Sequence, residues 1–191
     1  MPLHSSSIYP SSDPHYAAFP SRRSVVHSTH GIVSSTQPLA TQCGLEILRK
    51  GGNCADAAVA VAAGLNMTEP GSTGIGGDMF CLFYDAKTKK VRSLNGSGRG
   101  GKDVTLETIR GDLGLKEGDS GAIAMDSVHA VTVPGAPAGW VDCVEKFGSG
   151  KVTLEEVLAP AVKLGEEGFA VSELMAYYVR CLHDRSVRSL S

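Results

Sequence analysis

In this sequence of 191 residues, the residue whose surroundings most clearly suit it for binding a ligand is Arg99. It lies between Gly98 and the pair Gly100 and Gly101. A carboxylate can come close to a guanidinium that is surrounded by glycines, and the guanidinium can hold it through two parallel hydrogen bonds. The same pattern also fits an arginine in a solvated loop. The residue types alone leave both interpretations of Arg99 open.

Ser97 precedes this arginine and is the nearest candidate nucleophile. It stands between Gly96 and Gly98, so the Gly-x-Ser-x-Gly spacing of a nucleophile elbow is absent. The sequence therefore predicts a turn at Ser97 and gives it no catalytic role.

A glycine-rich segment, residues 71–78, invites comparison with a phosphate-binding loop. Gly71 and Gly76 have the required separation, but Gly77 and Asp78 stand where Lys and Ser or Thr are needed. We expect a tight, close-packed turn there. The five cysteines are spread singly, without a CxxC pair or a partnering histidine cluster, so we predict no zinc site and no disulfide framework. We also predict no cofactor.

Two helices and a hairpin must position the loop that carries Arg99. A helix is predicted over residues 38–50, because proline suits its first turn and Gly51-Gly52 ends it. Asn53 is the predicted N-cap of a second helix that reaches Met67 and is apolar on all sides, which indicates a central, buried position. Residues 79–84 and 90–94 are predicted strands joined by a turn at 85–89.

The remaining pattern predicts further strands and helices. Residues 24–28, 31–35 and 128–133 are β-prone, and helices are expected at 106–110, 138–147, 154–167 and 172–181. Thr153 and Glu156 have the spacing of a capping box. Antiparallel strands packed on helices indicate an α/β (α+β) fold.

Composition limits the classes of partner. A net charge of −2 without a long run of like charges gives no reason to expect nucleic acid. The N-terminus lacks the apolar run of a secretory signal, and no apolar run approaches the roughly 20 residues of a membrane span, so we expect a cytoplasmic protein without a membrane anchor. We predict a mobile arm over residues 1–23, one domain over 24–179 and an unrelated tail over 180–191.

Several ordered segments resemble one enzyme family. They read GIVSSTQPLA at 31–40, GLEILRKGGNCADAA at 44–58 and NMTEPGSTGIGG at 66–77, followed by VPGAPAG at 133–139 and LEEVLAPA at 154–161. This pattern, over about residues 31–174, resembles the N-terminal part of the large subunit of gamma-glutamyltranspeptidases (gamma-glutamyltransferase, glutathione hydrolase), which are N-terminal nucleophile hydrolases.

The resemblance implies an αββα sandwich and a precursor that cuts itself into two subunits. It also implies that the N-terminal Thr of the small subunit attacks a gamma-glutamyl amide of the glutathione type, with its own amine as base. No segment of this chain matches that Thr, so we expect an incomplete enzyme that is inactive without the small subunit. Its unpaired strands and apolar surface should lead to aggregation or dimerisation.

One family site falls within this chain. In the family, an Arg of an Arg-Glu-x-Ala-Pro pattern clamps the α-carboxylate of the gamma-glutamyl group. The resemblance places Ser97 at that position and Arg99 two residues later, without the following Ala-Pro. Ser97 and Arg99 are therefore the candidate substrate-binding residues. The departure leaves open an acylase of the same fold with another acyl group. A catalytically silent fragment used for association is a separate alternative.

Overall fold

The computed structural model describes residues 25–124 and 127–180. The chain divides into two compact units, residues 1–32 and 33–191, and the second contains all the named helices and strands. The predicted arm at residues 1–23 lies outside the described residues, as does the predicted tail from residue 181 onward. No described helix is both long enough and apolar enough to cross a membrane.

Two helices that pack against each other begin the second unit. Helix α1 spans Pro38–Arg49 with proline in its first turn, and α2 spans Cys54–Thr68. The Asn53 side chain accepts hydrogen bonds from the first turn of α2, while the Asp56 carboxylate accepts one from the Asn53 backbone, which forms a capping box. The predicted helices and their caps are confirmed.

Small residues allow these helices to approach closely. A Cβ at Gly44 of α1 would lie 2.6 Å from the Val61 side chain of α2. Helix α2 packs against α1 and against two later helices, α4 (Ala136–Phe147) and α5 (Leu154–Glu167). The predicted central position of α2 is confirmed, although Ala58 is exposed.

A two-stranded antiparallel sheet lies on this helical layer. Strand β1 spans Met79–Asp85 and β2 spans Lys90–Gly96, with Met79 opposite Gly96 and Asp85 opposite Lys90. Four side chains of one face pack on the helical core: Met79, Cys81, Phe83 and Leu94. The predicted hairpin is confirmed.

The remaining described elements are short or terminal. Helix α3 spans Leu106–Asp112, a single 3₁₀ turn spans Val128–Ala130, and residues 173–180 form helix α6. Thr153 and Glu156 form the predicted capping box at the start of α5.

The strands predicted at 24–28 and 31–35 are wrong, because residues 25–35 contain no strand; Ser24 lies outside the described residues. The Ser28 hydroxyl accepts hydrogen bonds from the backbone N–H groups of His30 and Gly31, at 3.2 and 3.1 Å. Such local bonds compete with a strand ladder.

The strand predicted at 128–133 is also wrong for most of its length. The Ser127 hydroxyl accepts a hydrogen bond from the His129 N–H and begins the 3₁₀ turn instead. Only Val133 makes a β-bridge, and its partner is Arg99.

Candidate functional site

The loop that follows β2 is fixed from its own strand and from the start of β1. The Ser97 N–H donates to the Asn95 side-chain oxygen at 2.9 Å, and the Gly98 N–H donates to the Asp78 carboxylate at 2.5 Å. Asp78 directly precedes β1, so the antiparallel register places it beside the end of β2. Two polar side chains therefore set the path of the backbone at the candidate residues.

A second segment, residues 133–136, crosses this loop. The Val133 N–H donates to the Arg99 carbonyl at 2.8 Å, and the N–H groups of Gly135 and Ala136 both donate to the Gly77 carbonyl, at 3.0 and 2.9 Å. A Cβ at Gly98 would overlap the Thr132 side chain and the Val133 carbonyl, so only glycine permits this crossing. The loop is thereby held on both sides.

These segments line a groove of about 250 Å³ together with the first turns of α4. Ser97 and Arg99 both contribute to it and both are exposed. The structure thus brings the two predicted substrate-binding residues to one groove. Among the described residues, the Arg99 guanidinium makes no salt bridge, which leaves its donors available.

The other charged group of the groove is Asp142, on α4. Its carboxylate pairs with Lys146 one turn later at 2.8 Å, so its charge is already balanced in part. In residues 25–124 and 127–180, no three His, Cys, Asp or Glu side chains are grouped so that they could hold a metal ion.

Sequence reasoning missed the groove residues Asp142 and Val133 and the supporting role of Asp78. A signal for Asp78 was available, since the two ends of an antiparallel hairpin meet and Asp78 and Gly98 flank the predicted strands. Val133 and Asp142 carried no such signal, because their place depends on contacts distant in sequence.

The glycine-rich segment 71–78 differs from its prediction. A Cβ at Gly74, Gly76 or Gly77 would meet nothing within 4 Å, so the turn is open and not close-packed. The Glu69 carbonyl accepts hydrogen bonds from the N–H groups of Ser72 and Thr73. The Thr73 hydroxyl also donates to the Asn66 side-chain oxygen at 2.9 Å, so the start of the turn is held against the end of α2. Gly77 matters through its carbonyl, which anchors the start of α4.

Comparison with known proteins identifies the family. The family model described as Gamma-glutamyltranspeptidase matches residues 40–188. The glutathione hydrolase-like YwrD proenzyme of Bacillus subtilis is 41% identical over 148 residues, which cover 77% of this chain but only 26% of that protein. This chain therefore spans about a quarter of the length of that relative.

Solved structures agree with the sequence comparison. A cephalosporin acylase from Bacillus halodurans matches 94% of this chain and 32% of its own, with a TM-score of 0.78 and 39% identity. The gamma-glutamyltranspeptidase of Helicobacter pylori matches 86% of this chain and 46% of its own, with a TM-score of 0.74 and 27% identity. The α/β fold predicted from the sequence is thus part of the N-terminal nucleophile hydrolase fold of these proteins, and the chain belongs to the gamma-glutamyltranspeptidase family.

Proposed function

We propose that this chain supplies the acyl-binding part of an amide hydrolase or transferase that acts on gamma-glutamyl amides of the glutathione type. The observation that carries the proposal is Arg99, whose guanidinium is unpaired among the described residues and lines a groove. The loop that presents it is fixed through Asp78 and Val133. A guanidinium on a fixed loop can hold a carboxylate in one orientation.

The chemistry would be divided between two parts of the enzyme. An N-terminal Thr outside this chain would attack the amide carbonyl, lose its hydroxyl proton to its own amine and release the amine of the substrate. Water or an acceptor amine would then take the acyl group. The role of this chain would be to hold the acyl group, because fixing the substrate reduces the entropy lost on reaching the transition state.

The outer face of the hairpin favours the presence of a partner subunit that covers it. Four apolar side chains on this face are exposed, and they are Phe80, Leu82, Tyr84 and Val91. A second sheet laid on this face would bury them, as the two inner sheets of a four-layer sandwich do. We infer that the small subunit supplies that sheet.

An acylase with a different acyl group is the second candidate. Its support is Ser97, which is small and neutral at the position where the family resemblance expects the clamp arginine. The similarity to the cephalosporin acylase of Bacillus halodurans points the same way. An acyl group without an α-carboxylate would need no arginine at that position.

The two candidate functions are distinguished by comparing a substrate that carries the α-carboxylate with one that lacks it. In the test enzyme, the matching segment of the Bacillus subtilis relative is replaced by that of this chain, and cleavage into two subunits reports folding. A gamma-glutamyl anilide is compared with a 4-aminobutyryl anilide, which lacks only the carboxylate. Faster turnover of the gamma-glutamyl anilide supports the first candidate, and faster turnover of the other supports the acylase.

Arg99 is tested in the same enzyme with matched variants. Arg99→Ala should cost about 2–5 kcal/mol in kcat/KM for the gamma-glutamyl anilide and nothing for the 4-aminobutyryl anilide. Arg99→Lys keeps the charge without the paired donors and should lose less, while Lys102→Ala alters a nearby exposed cation and should be neutral. Equal losses on both substrates would remove Arg99 from the carboxylate site.

A catalytically silent fragment that serves only in association is the remaining alternative. It predicts that a processed test enzyme turns over neither anilide. The purified chain alone should be inactive under all three hypotheses, because none of them gives it a nucleophile.

A further inference from the structure

Two cysteines far apart in the sequence meet where strand β1 crosses helix α4. Cys81 lies in the middle of β1 opposite Leu94, and Cys143 lies within α4. Their Sγ atoms are 3.8 Å apart. A disulfide bond has an S–S distance of about 2.0 Å, so the two sulfur atoms must move closer together before a bond can form.

The backbone around the pair keeps the strand and the helix close. One turn before Cys143, a Cβ at Gly139 would overlap the side chain of Met79, which is two residues before Cys81 on the same face of β1. The strand ladder and the helix hydrogen bonds fix the two backbones at this crossing. The thiols are therefore held in contact by the fold and not by a flexible loop.

We propose that Cys81 and Cys143 form a dithiol site that a small disulfide compound oxidises to an intrachain disulfide linking β1 to α4. The Cys81 thiolate attacks one sulfur of the small disulfide and expels a small thiolate. The Cys143 thiol then loses its proton and attacks the Cys81 sulfur, which expels the second small thiolate. The protein loses two electrons and two protons, and the small disulfide takes them up as two thiols.

The order of these steps follows from exposure. Cys81 is partly exposed, whereas only 1% of Cys143 is exposed, so the external reagent reaches Cys81 first. Cys43 is also buried and has no thiol neighbour within hydrogen-bonding distance among the described residues. Cys54 is exposed and provides the natural control for an unpaired, accessible thiol.

The second step, in which Cys143 attacks the mixed disulfide on Cys81, should be slow at neutral pH. Burial raises the pKa of Cys143 to about 12, with further contributions from Cys81 on β1 and from Asp56 and Cys54 on α2. In the mixed disulfide Cys81 no longer carries a thiol, so burial, Asp56 and Cys54 are the causes that still raise the pKa of Cys143 at the closing step. Since the thiolate is the nucleophile, that step should speed up by roughly tenfold per pH unit below the raised pKa. A mixed disulfide on Cys81 should therefore accumulate first.

The disulfide would join the elements that support the candidate groove. Gly77, just before β1, already accepts hydrogen bonds from Gly135 and Ala136 at the start of α4. The disulfide would add a covalent link between the middle of β1, at Cys81, and the second half of α4, at Cys143. This inference concerns the redox state of the chain and does not depend on the proposed amide chemistry.

The test is to incubate the full reduced chain with oxidised glutathione at several pH values and map its peptides by mass spectrometry. A peptide pair joined through Cys81 and Cys143 is expected, with faster formation at higher pH. Cys54→Ser should leave the cross-link intact. In Cys143→Ser, glutathione should remain on Cys81, and in Cys81→Ser no cross-link to Cys143 should form.

Three results would overturn the proposal. One is a wild-type chain that carries only glutathione adducts after prolonged oxidation at alkaline pH. Another is a cross-link that joins Cys81 or Cys143 to Cys54, Cys43 or Cys181. The third is a Cys81–Cys143 link that appears only after denaturant is added. Because each is read from the wild-type chain, a variant that fails to fold does not affect the decision.

Discussion

The two faces of the β1–β2 hairpin differ in how far this chain completes them. On the inner face, Phe83 stacks on Phe147 of α4 with ring centroids 5.2 Å apart, and Arg92 lies over both rings. On the outer face, Leu82 is 81% exposed and Phe80 is 71% exposed. Strand β1 is apolar on both faces, as is typical of a strand buried on both sides.

This difference indicates which layer of the fold lies within the chain. The helical layer beneath the inner face has a completed core, in which Ile47, Val59 and Val157 are at least 98% buried. The layer above the outer face is not supplied by the described residues.

Phe83→Ala and Leu82→Ala form the most direct comparison, because the two side chains point to opposite faces. Phe83→Ala should lower the free energy of unfolding of the isolated chain by about 3 kcal/mol, since it removes a stacked ring from the core. At protein concentrations low enough for the chain to be monomeric, Leu82→Ala should change it by less than about 0.5 kcal/mol. Urea unfolding followed by circular dichroism at those concentrations measures both, and similar losses would show that the outer face is covered within the monomer.

The second prediction tests the helical layer through Asp56, which is fully buried. Its Oδ2 accepts the N–H groups of Asn53 and of Ser149, both at 2.9 Å, so one carboxylate caps α2 and anchors the segment after α4. Its Oδ1 has no hydrogen-bond partner. Asp56→Ala should cost about 2 kcal/mol or more, because two backbone donors lose their charged acceptor.

Glu156 offers a matched control, because it holds the same capping-box position in α5 but is exposed. Glu156→Ala should cost less than about 1 kcal/mol. Thermal or urea unfolding of the two variants gives the comparison. If Glu156→Ala were the more damaging change, the buried link between α2 and α4 would not be what stabilises this layer.

The contrast between the faces also shows what the sequence could predict. Helices α1, α2 and α5 follow from local signals: Pro38 at a first turn, Asn53 at an N-cap, and Thr153 with Glu156 in a capping box. The hairpin follows from two apolar runs around a turn. Each of these signals lies within a few residues of the element it predicts.

The candidate site depended on contacts that leave no local signal. Arg99 meets Val133 through a single β-bridge, and Gly77 meets Gly135 and Ala136 through two hydrogen bonds. The β-prone residues before Val133 predict a strand, whereas a single bridge has no periodicity from which the sequence could predict it. The resemblance placed Ser97 and Arg99 at a substrate site, but only the structure shows that they line the same groove.

The third prediction concerns self-association through the outer face. We expect the isolated chain to self-associate, and Leu82→Lys should weaken this by roughly tenfold or more, since burying a leucine side chain contributes about 1.5–3 kcal/mol. Val162→Lys changes an exposed apolar residue of α5 and should have little effect. Analytical ultracentrifugation over a range of concentrations measures both. A wild-type chain that stays monomeric throughout would contradict this prediction.

The smallest expected effect is at the turn that joins the two strands. The Thr88 hydroxyl and the Lys87 N–H both donate to the Asp85 carboxylate at 2.9 Å, and these bonds lower its pKa below the ordinary 3.8. A carboxyl with a lowered folded pKa stabilises the fold above its unfolded pKa. That contribution should disappear as the pH falls through 3.8 toward the lower folded pKa.

Urea unfolding of the wild-type chain and Asp85→Asn between about pH 7 and about pH 3 tests this sign. The wild-type advantage should shrink in acid, because only the charged carboxylate makes the stronger hydrogen bonds of the turn. Glu107→Gln serves as a control, since Glu107 also has a lowered pKa but lies in α3, away from the hairpin turn. If the wild-type and Asp85→Asn profiles ran parallel, the Asp85 carboxylate would contribute no pH dependence to the stability of the hairpin.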